Sequence, residues 1–256
     1  MMSALPRRLT RLALLLAATL SLAGLAVGPS QAADDAQLYI VQGLPGRTVD
    51  VEVDGKTVAE GVKTAAVTGP FDVAAGSRQV TFTEDGDELL DRTFKVGAGS
   101  SWDVVLHLPE SASSSDPTVT VFRNDLSDVP RGKASLTVAH TAVVPPADIR
   151  VDGKVAFSDI ANGESLNVVV PVATYEVAIV PTGEESPVYL GPVNLTVKGG
   201  ALNRVYALGD PEKNTMNVAV HVITTGSSGS GTPSEVNTGS GGEAVGATRF
   251  LAKLTR

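Results

Sequence analysis

His140 and Asp148 are the two residues of this 256-residue chain that most resemble an enzymatic couple. A histidine hydrogen-bonded to a carboxylate is the usual core of a general base. Here the two flank a Pro145-Pro146 turn. Strand periodicity works against the pairing. Leu136, Val138 and His140 share one face, and Ile149 and Val151 point inward on the next run, which turns Asp148 outward. His140 is therefore expected to cap a loop carbonyl at a strand end, because buried polar groups need partners. The other two histidines, His107 and His221, lie far apart in sequence, and no pair has the short spacing of a zinc site. The absence of cysteine excludes disulfides, a thiolate nucleophile and cysteine-based zinc binding. Asp85, Asp87, Glu88 and Asp91 crowd one turn without the alternating Asp-x-Asp-x-Asp-Gly pattern of a calcium loop, so a solvated acidic turn is expected. No Gly-x-Ser-x-Gly elbow, phosphate loop or dinucleotide fingerprint occurs. The serines of residues 111–115 have no basic partner nearby in sequence, and the single Trp102 reads as a core residue. No catalytic residue, metal ligand or cofactor is assigned. His140 and Asp148 remain as weak candidates for ligand binding.

The elements that must position these residues form a repeat. Val53-Asp54-Gly55-Lys56 recurs as Val151-Asp152-Gly153-Lys154, 98 positions later. Asp-Gly between alternating runs signals a two-residue type I′ hairpin, whose central residues both need positive φ. Leu38 and Asp50 match Leu136 and Asp148 at the same offset, and the histidine's counterpart is Gln42. Later strands match at offsets of 97 and 101, so the insertions fall in turns, where loops tolerate them. Each unit holds about seven strands at the spacing of a sandwich. The sequence predicts an all-β protein of two tandem immunoglobulin-like antiparallel β-sandwiches, over residues 37–126 and 133–224.

The flanks set the compartment. Arg7, Arg8 and Arg11 precede an apolar run over residues 12–27 and then small residues, the pattern of a secretory signal peptide over residues 1–32 cleaved after Ala32. The apolar run is short for a membrane span. Arg7-Arg8 leaves twin-arginine export open as well as the general route. Without the leader, 17 basic side chains stand against 28 acidic ones, which argues against nucleic acid as a partner. Residues 225–256 open with a Gly/Ser-rich stretch, read as a flexible tail.

Gly132-Lys133-Ala134-Ser135-Leu136-Thr137-Val138-Ala139-His140-Thr141, followed by Pro145-Pro146-Ala147-Asp148-Ile149-Arg150-Val151-Asp152-Gly153-Lys154, resembles the secreted bacterial family called domain of unknown function 4397. The resemblance runs over roughly residues 38–223 and is more evident in the second unit; Ala173-Thr174-Tyr175 lacks the glycine of the family's Ala-Gly-x-Tyr strand. It implies an immunoglobulin-like sandwich exported to the envelope, with no assigned activity. The expected function is that of a non-enzymatic extracellular or cell-envelope module that binds an envelope or extracellular protein or glycan, or acts as a spacer. The loop of residues 140–148 is an expected part of the contact surface. A secreted hydrolase or its accessory domain, and a calcium-dependent adhesin, are the alternatives.

Overall fold

The computed structural model describes residues 34–110, 116–225 and 227–228. The leader with its cleavage point after Ala32, the serine loop of residues 111–115 and most of the tail lie outside the described residues.

The first half contains two four-stranded sheets. One has the order β4-β1-β7-β8, from β1 (Ala36–Gln42), β4 (Val67–Val73), β7 (Ser101–His107) and β8 (Thr118–Asn124). The other has the order β3-β2-β5-β6, from β2 (Thr48–Val53), β3 (Lys56–Lys63), β5 (Gly76–Glu84) and β6 (Asp87–Val96). After β9 (Val129–Pro130) the second half repeats the plan. Its sheets are β13-β10-β16-β17 and β12-β11-β14-β15. They comprise β10 (Lys133–Ala142), β11 (Ala147–Val151), β12 (Lys154–Ile160), β13 (Ser165–Pro171), β14 (Thr174–Pro181), β15 (Leu190–Thr196), β16 (Ala201–Gly209) and β17 (Asn217–Thr224). Strand for strand the two orders are the same. Pairing within the four sheets is antiparallel except for β1 with β7 and β10 with β16. A two-residue strand β18 (Ser227–Ser228) runs parallel to β9.

The Asp-Gly hairpins adopt the conformation their composition demands. Asp54 and Gly55 have φ of 51° and 73°, and Asp152 and Gly153 have 48° and 73°. Each aspartate also ties its turn to the neighbouring strand. Asp54 Oδ1 accepts the Gln79 N–H at 3.0 Å, and Asp152 Oδ1 accepts the Glu176 N–H at 3.0 Å.

Each half has its own core, built around Leu38, Val51, Phe82 and Leu106 in the first and Leu136, Ile149, Phe157 and Ile179 in the second. A third apolar cluster joins them. Val41, Val105 and Phe122 of the first half pack with Ala139, Tyr206, Leu208 and Ala219 of the second. The central strands β7, β10 and β16 therefore face a sandwich core on one side and the other sandwich on the opposite side. All nine residues of β16 are buried. Gly43 sits at this seam, where an added Cβ would lie 2.7 Å from both the Leu106 carbonyl oxygen and Leu208 Cδ2.

Candidate functional site

The structure keeps His140 and Asp148 apart. His140 follows Leu136 and Val138 on the face of β10 that points into the second core, as the periodicity predicts, and it is buried. Asp148 lies on the opposite sheet, on the face of β11 turned away from that core, since Ala147 and Ile149 beside it belong to the core. A layer of packed side chains and a sheet separate the two groups. They form no dyad.

Two details of the sequence reading change. Asp148 is on the outward face yet only 3% exposed, because the β14–β15 turn folds over it. Its carboxylate accepts the Asp159 N–H at 3.0 Å and the Gly183 N–H at 2.9 Å. The counterpart Asp50 accepts the Gly61 N–H at 2.7 Å. Gly61 and Asp159 both have positive φ, 64° and 59°, next to register shifts in β2–β3 and β11–β12. The repeated aspartate thus secures a β-bulge, which leaves an N–H in need of a partner.

His140 does not cap a carbonyl in good geometry: among the described residues, neither ring nitrogen has a hydrogen-bond partner. Its counterpart Gln42 does the capping in the first half. Gln42 Nε2 donates to the carbonyls of Arg47 at 2.8 Å and Leu44 at 3.3 Å, and its Oε1 accepts the Leu44 N–H. In the second half the loop after β10 is held by other groups. Asn162 Nδ2 donates to the Ala142 carbonyl at 2.7 Å, and the Val143 N–H reaches the Gly209 carbonyl at 2.7 Å. Prolines 145 and 146 bring no N–H for a side chain to hold. Burial pushes the His140 imidazole toward its neutral form; the Pro145 carbonyl, outside good bonding geometry, and the charges of Glu110 and Glu164 oppose this. The loop expected as a contact surface is largely covered. Within residues 140–148, Pro145 alone is exposed and Pro146 is half-buried.

The cluster that sequence reasoning missed lies between the sandwiches. Asp103 on β7 is fully buried and accepts Asn124 Nδ2 at 2.7 Å, His221 Nδ1 at 3.0 Å and the Tyr206 hydroxyl. Tyr206 and His221 belong to the second half, so the carboxylate joins the halves. Burial alone would raise the Asp103 carboxyl, but the bonds from His221 and Asn124 and the nearby Arg204 guanidinium outweigh it and hold it below the usual range. Burial, then the Asp103 charge, pushes the Tyr206 phenol far upward. Arg204 lies over the Phe122 ring at 5.4 Å and donates to the Arg123 carbonyl at 2.8 Å. The ring of His221 is tilted against Tyr39 at 4.2 Å between centroids. The signal was present in Trp102-Asp103-Val104-Val105: on a strand buried on both faces, an aspartate has no outward side.

His107, at the end of β7, is also committed. With Nδ1–H donating to the Leu108 carbonyl at 2.8 Å, Nε2 accepts from the Thr120 hydroxyl at 2.8 Å. Burial lowers its pKa to about 4. Trp102 is half-buried against the first core and donates Nε1–H to Ser100 Oγ at 2.7 Å. Among the described residues, no three His, Asp or Glu side chains gather closely enough to hold a metal ion. No helix among them is long and apolar enough to cross a membrane.

The family model described as Domain of unknown function (DUF4397) matches residues 36–147. That segment is similar to the family. The DUF4397 match covers the whole first sandwich, continues through β10 and the Pro145-Pro146 loop, and ends at the first residue of β11. The strands of the second sandwich from Asp148 onward, where the resemblance in sequence was more evident, lie outside it. No curated protein matches the chain. Among solved structures, a proposed cell adhesion protein from Bacteroides eggerthii DSM 20697 is similar at 9% identity, over 79% of this chain and 99% of that one, with a TM-score of 0.18. A likeness of that degree carries no argument.

Proposed function

We propose that the protein is an exported, non-enzymatic module of the cell envelope or extracellular space, in which two fused β-sandwiches bind an envelope or extracellular protein or glycan. The observation that carries this reading is how the polar candidates are used. His140 faces a core, Asp148 holds two backbone N–H groups, and Asp103, Tyr206 and His221 close the seam between the sandwiches. A catalytic couple needs a group free to meet substrate in a cleft. Here Asp148 and the Asp103 cluster are taken up in structural bonds, and His140 points into a core rather than into a cleft. The leader pattern supports export.

The experiment is a pull-down of Ala33–Arg256 on isolated cell envelope and on concentrated culture medium. Recovery of a defined protein or glycan above background supports a binding module. Recovery of nothing leaves only a spacer role and removes the binding reading.

A further inference from the structure

The repeat allows the two sandwiches to be compared position by position along their open sides. In each half the short connections β3–β4 and β12–β13 close one side, so the sheet orders leave β6 with β8, and β15 with β17, bordering the other. On the first half's open side, Arg92 pairs with Val80, Val121 with Val104 and Arg123 with Trp102. The corresponding pairs in the second half are Val193 with Val177, Val220 with Val205 and Val222 with Asn203. Two exposed arginines have become valines. Val193, Val220 and Val222 are 38%, 43% and 41% exposed. An inward-pointing charge on an edge strand is a common guard against pairing with another strand. The first sandwich has that guard and the second lacks it. Among the described residues β17 is moreover paired on one side only, to β16.

We propose that the C-terminal residues 249–256 of this same chain add as a fifth strand to β17, covering Val193, Val220 and Val222. Their sequence, Arg249-Phe250-Leu251-Ala252-Lys253-Leu254-Thr255-Arg256, places Phe250, Ala252 and Leu254 on one face of an extended strand. An antiparallel register that sets Phe250 beside Val222 also sets Ala252 beside Val220 and Leu254 beside Val218, the edge-strand residue packed against the second core. The reach is sufficient. Such a strand starts beside the end of β17 from which the chain departs, and the 17 residues 229–245 are mostly Gly, Ser, Thr and other small or polar types. A Gly/Ser-rich linker of that length spans roughly 20–25 Å. Charge favours it too: residues 249–256 carry three basic side chains and no acidic one, on a chain of net charge −8. A tethered segment also meets its site at an effective concentration of order millimolar. Added main-chain bonds and a row of apolar side chains are the usual means of strand addition.

Hydrogen exchange on the intact secreted chain tests this, read at residues 249–256 and on β17. The expected result is slowing of at least about tenfold at Phe250–Leu254 relative to an unstructured chain. The slowing should be lost in F250D/L254D, which leaves both sandwiches untouched, and in V220R/V222R, which brings arginine into the exposed row as on the first half. Circular dichroism checks that the second variant is folded. Exchange of residues 249–256 at the unstructured rate in the wild type overturns the proposal. Protection that rises with protein concentration, together with a doubled mass in sedimentation, also overturns it, because the occupant is then a second copy's tail.

Discussion

His140 is a buried imidazole whose two nitrogens have no partner among the described residues, at a position where the other half has a fully bonded glutamine. Leaving a buried polar group unpaired costs about 1–3 kcal/mol. His140→Leu removes that cost at similar volume and is expected to raise the denaturation midpoint; a fall of more than 1 kcal/mol, as order of magnitude for a lost hydrogen bond, means that the imidazole has a partner in solution. His107 makes a different statement, about pH. Its folded pKa of about 4 lies below the ordinary 6.5, so the unfolded chain takes up a proton first as the solution is acidified. Its contribution is complete above pH 6.5 and is lost as the pH falls to about 4. That gap corresponds to about 3 kcal/mol. Urea titrations from pH 7 to 4 should show the decline in the wild type and a flatter profile in His107→Gln. Equal slopes in both proteins would assign the decline to other groups.

The strand elements and their hairpins were legible in residue order, because Asp-Gly in a type I′ turn and period-two alternation are local properties. The β-bulges were not. Periodicity turns Asp148 outward, as observed, but it does not register the β14–β15 turn that closes over the carboxylate or the extra residue of β12 whose N–H the carboxylate takes. The same carboxylate now sustains two backbone N–H groups at a covered site, whereas Asp50 sustains one at an exposed site. Asp148→Ala should therefore cost about 2–3 kcal/mol in equilibrium unfolding and Asp50→Ala about 1 kcal/mol or less. Equal losses at the two positions would mean that covering by the β14–β15 turn adds nothing. The double burial of β10 and β16 escaped for a related reason. Alternation identifies one buried face, and the second face depends on where the other sandwich packs, which no local pattern encodes.

At the scale of the whole molecule the two halves meet through equivalent sheets, and their contacts are reciprocal. Asp103 pairs with Phe122 across β7 and β8, as Arg204 pairs with His221 across β16 and β17. Across the seam Asp103 bonds His221, while Arg204 lies over Phe122. Equivalent positions exchanging contacts in this way make an isologous interface, like that of a two-fold dimer, here within one chain. Duplication then let the two sides diverge: the carboxylate stands on one half and its cation on the other. Because Asp103 is fully buried, truncating it leaves His221 Nδ1 and the Tyr206 hydroxyl without their acceptor and Asn124 with only the Ser101 hydroxyl. Asp103→Ala should cost about 3–5 kcal/mol, the scale of a broken buried charged network. Tyr206→Phe should cost about 1–2 kcal/mol, and the double variant less than the sum, since the two groups share one bond. The loss should appear at the seam. Wild-type protein should unfold in one transition by calorimetry, and Asp103→Ala in two, one for each sandwich with its separate core. The depressed Asp103 carboxyl has the same consequence in acid: the stability it contributes is present above its ordinary pKa of 3.8 and is lost as pH falls through the lower folded value. Two resolved transitions in the wild type at neutral pH would show instead that the sandwiches unfold independently and that the buried carboxylate does not couple them.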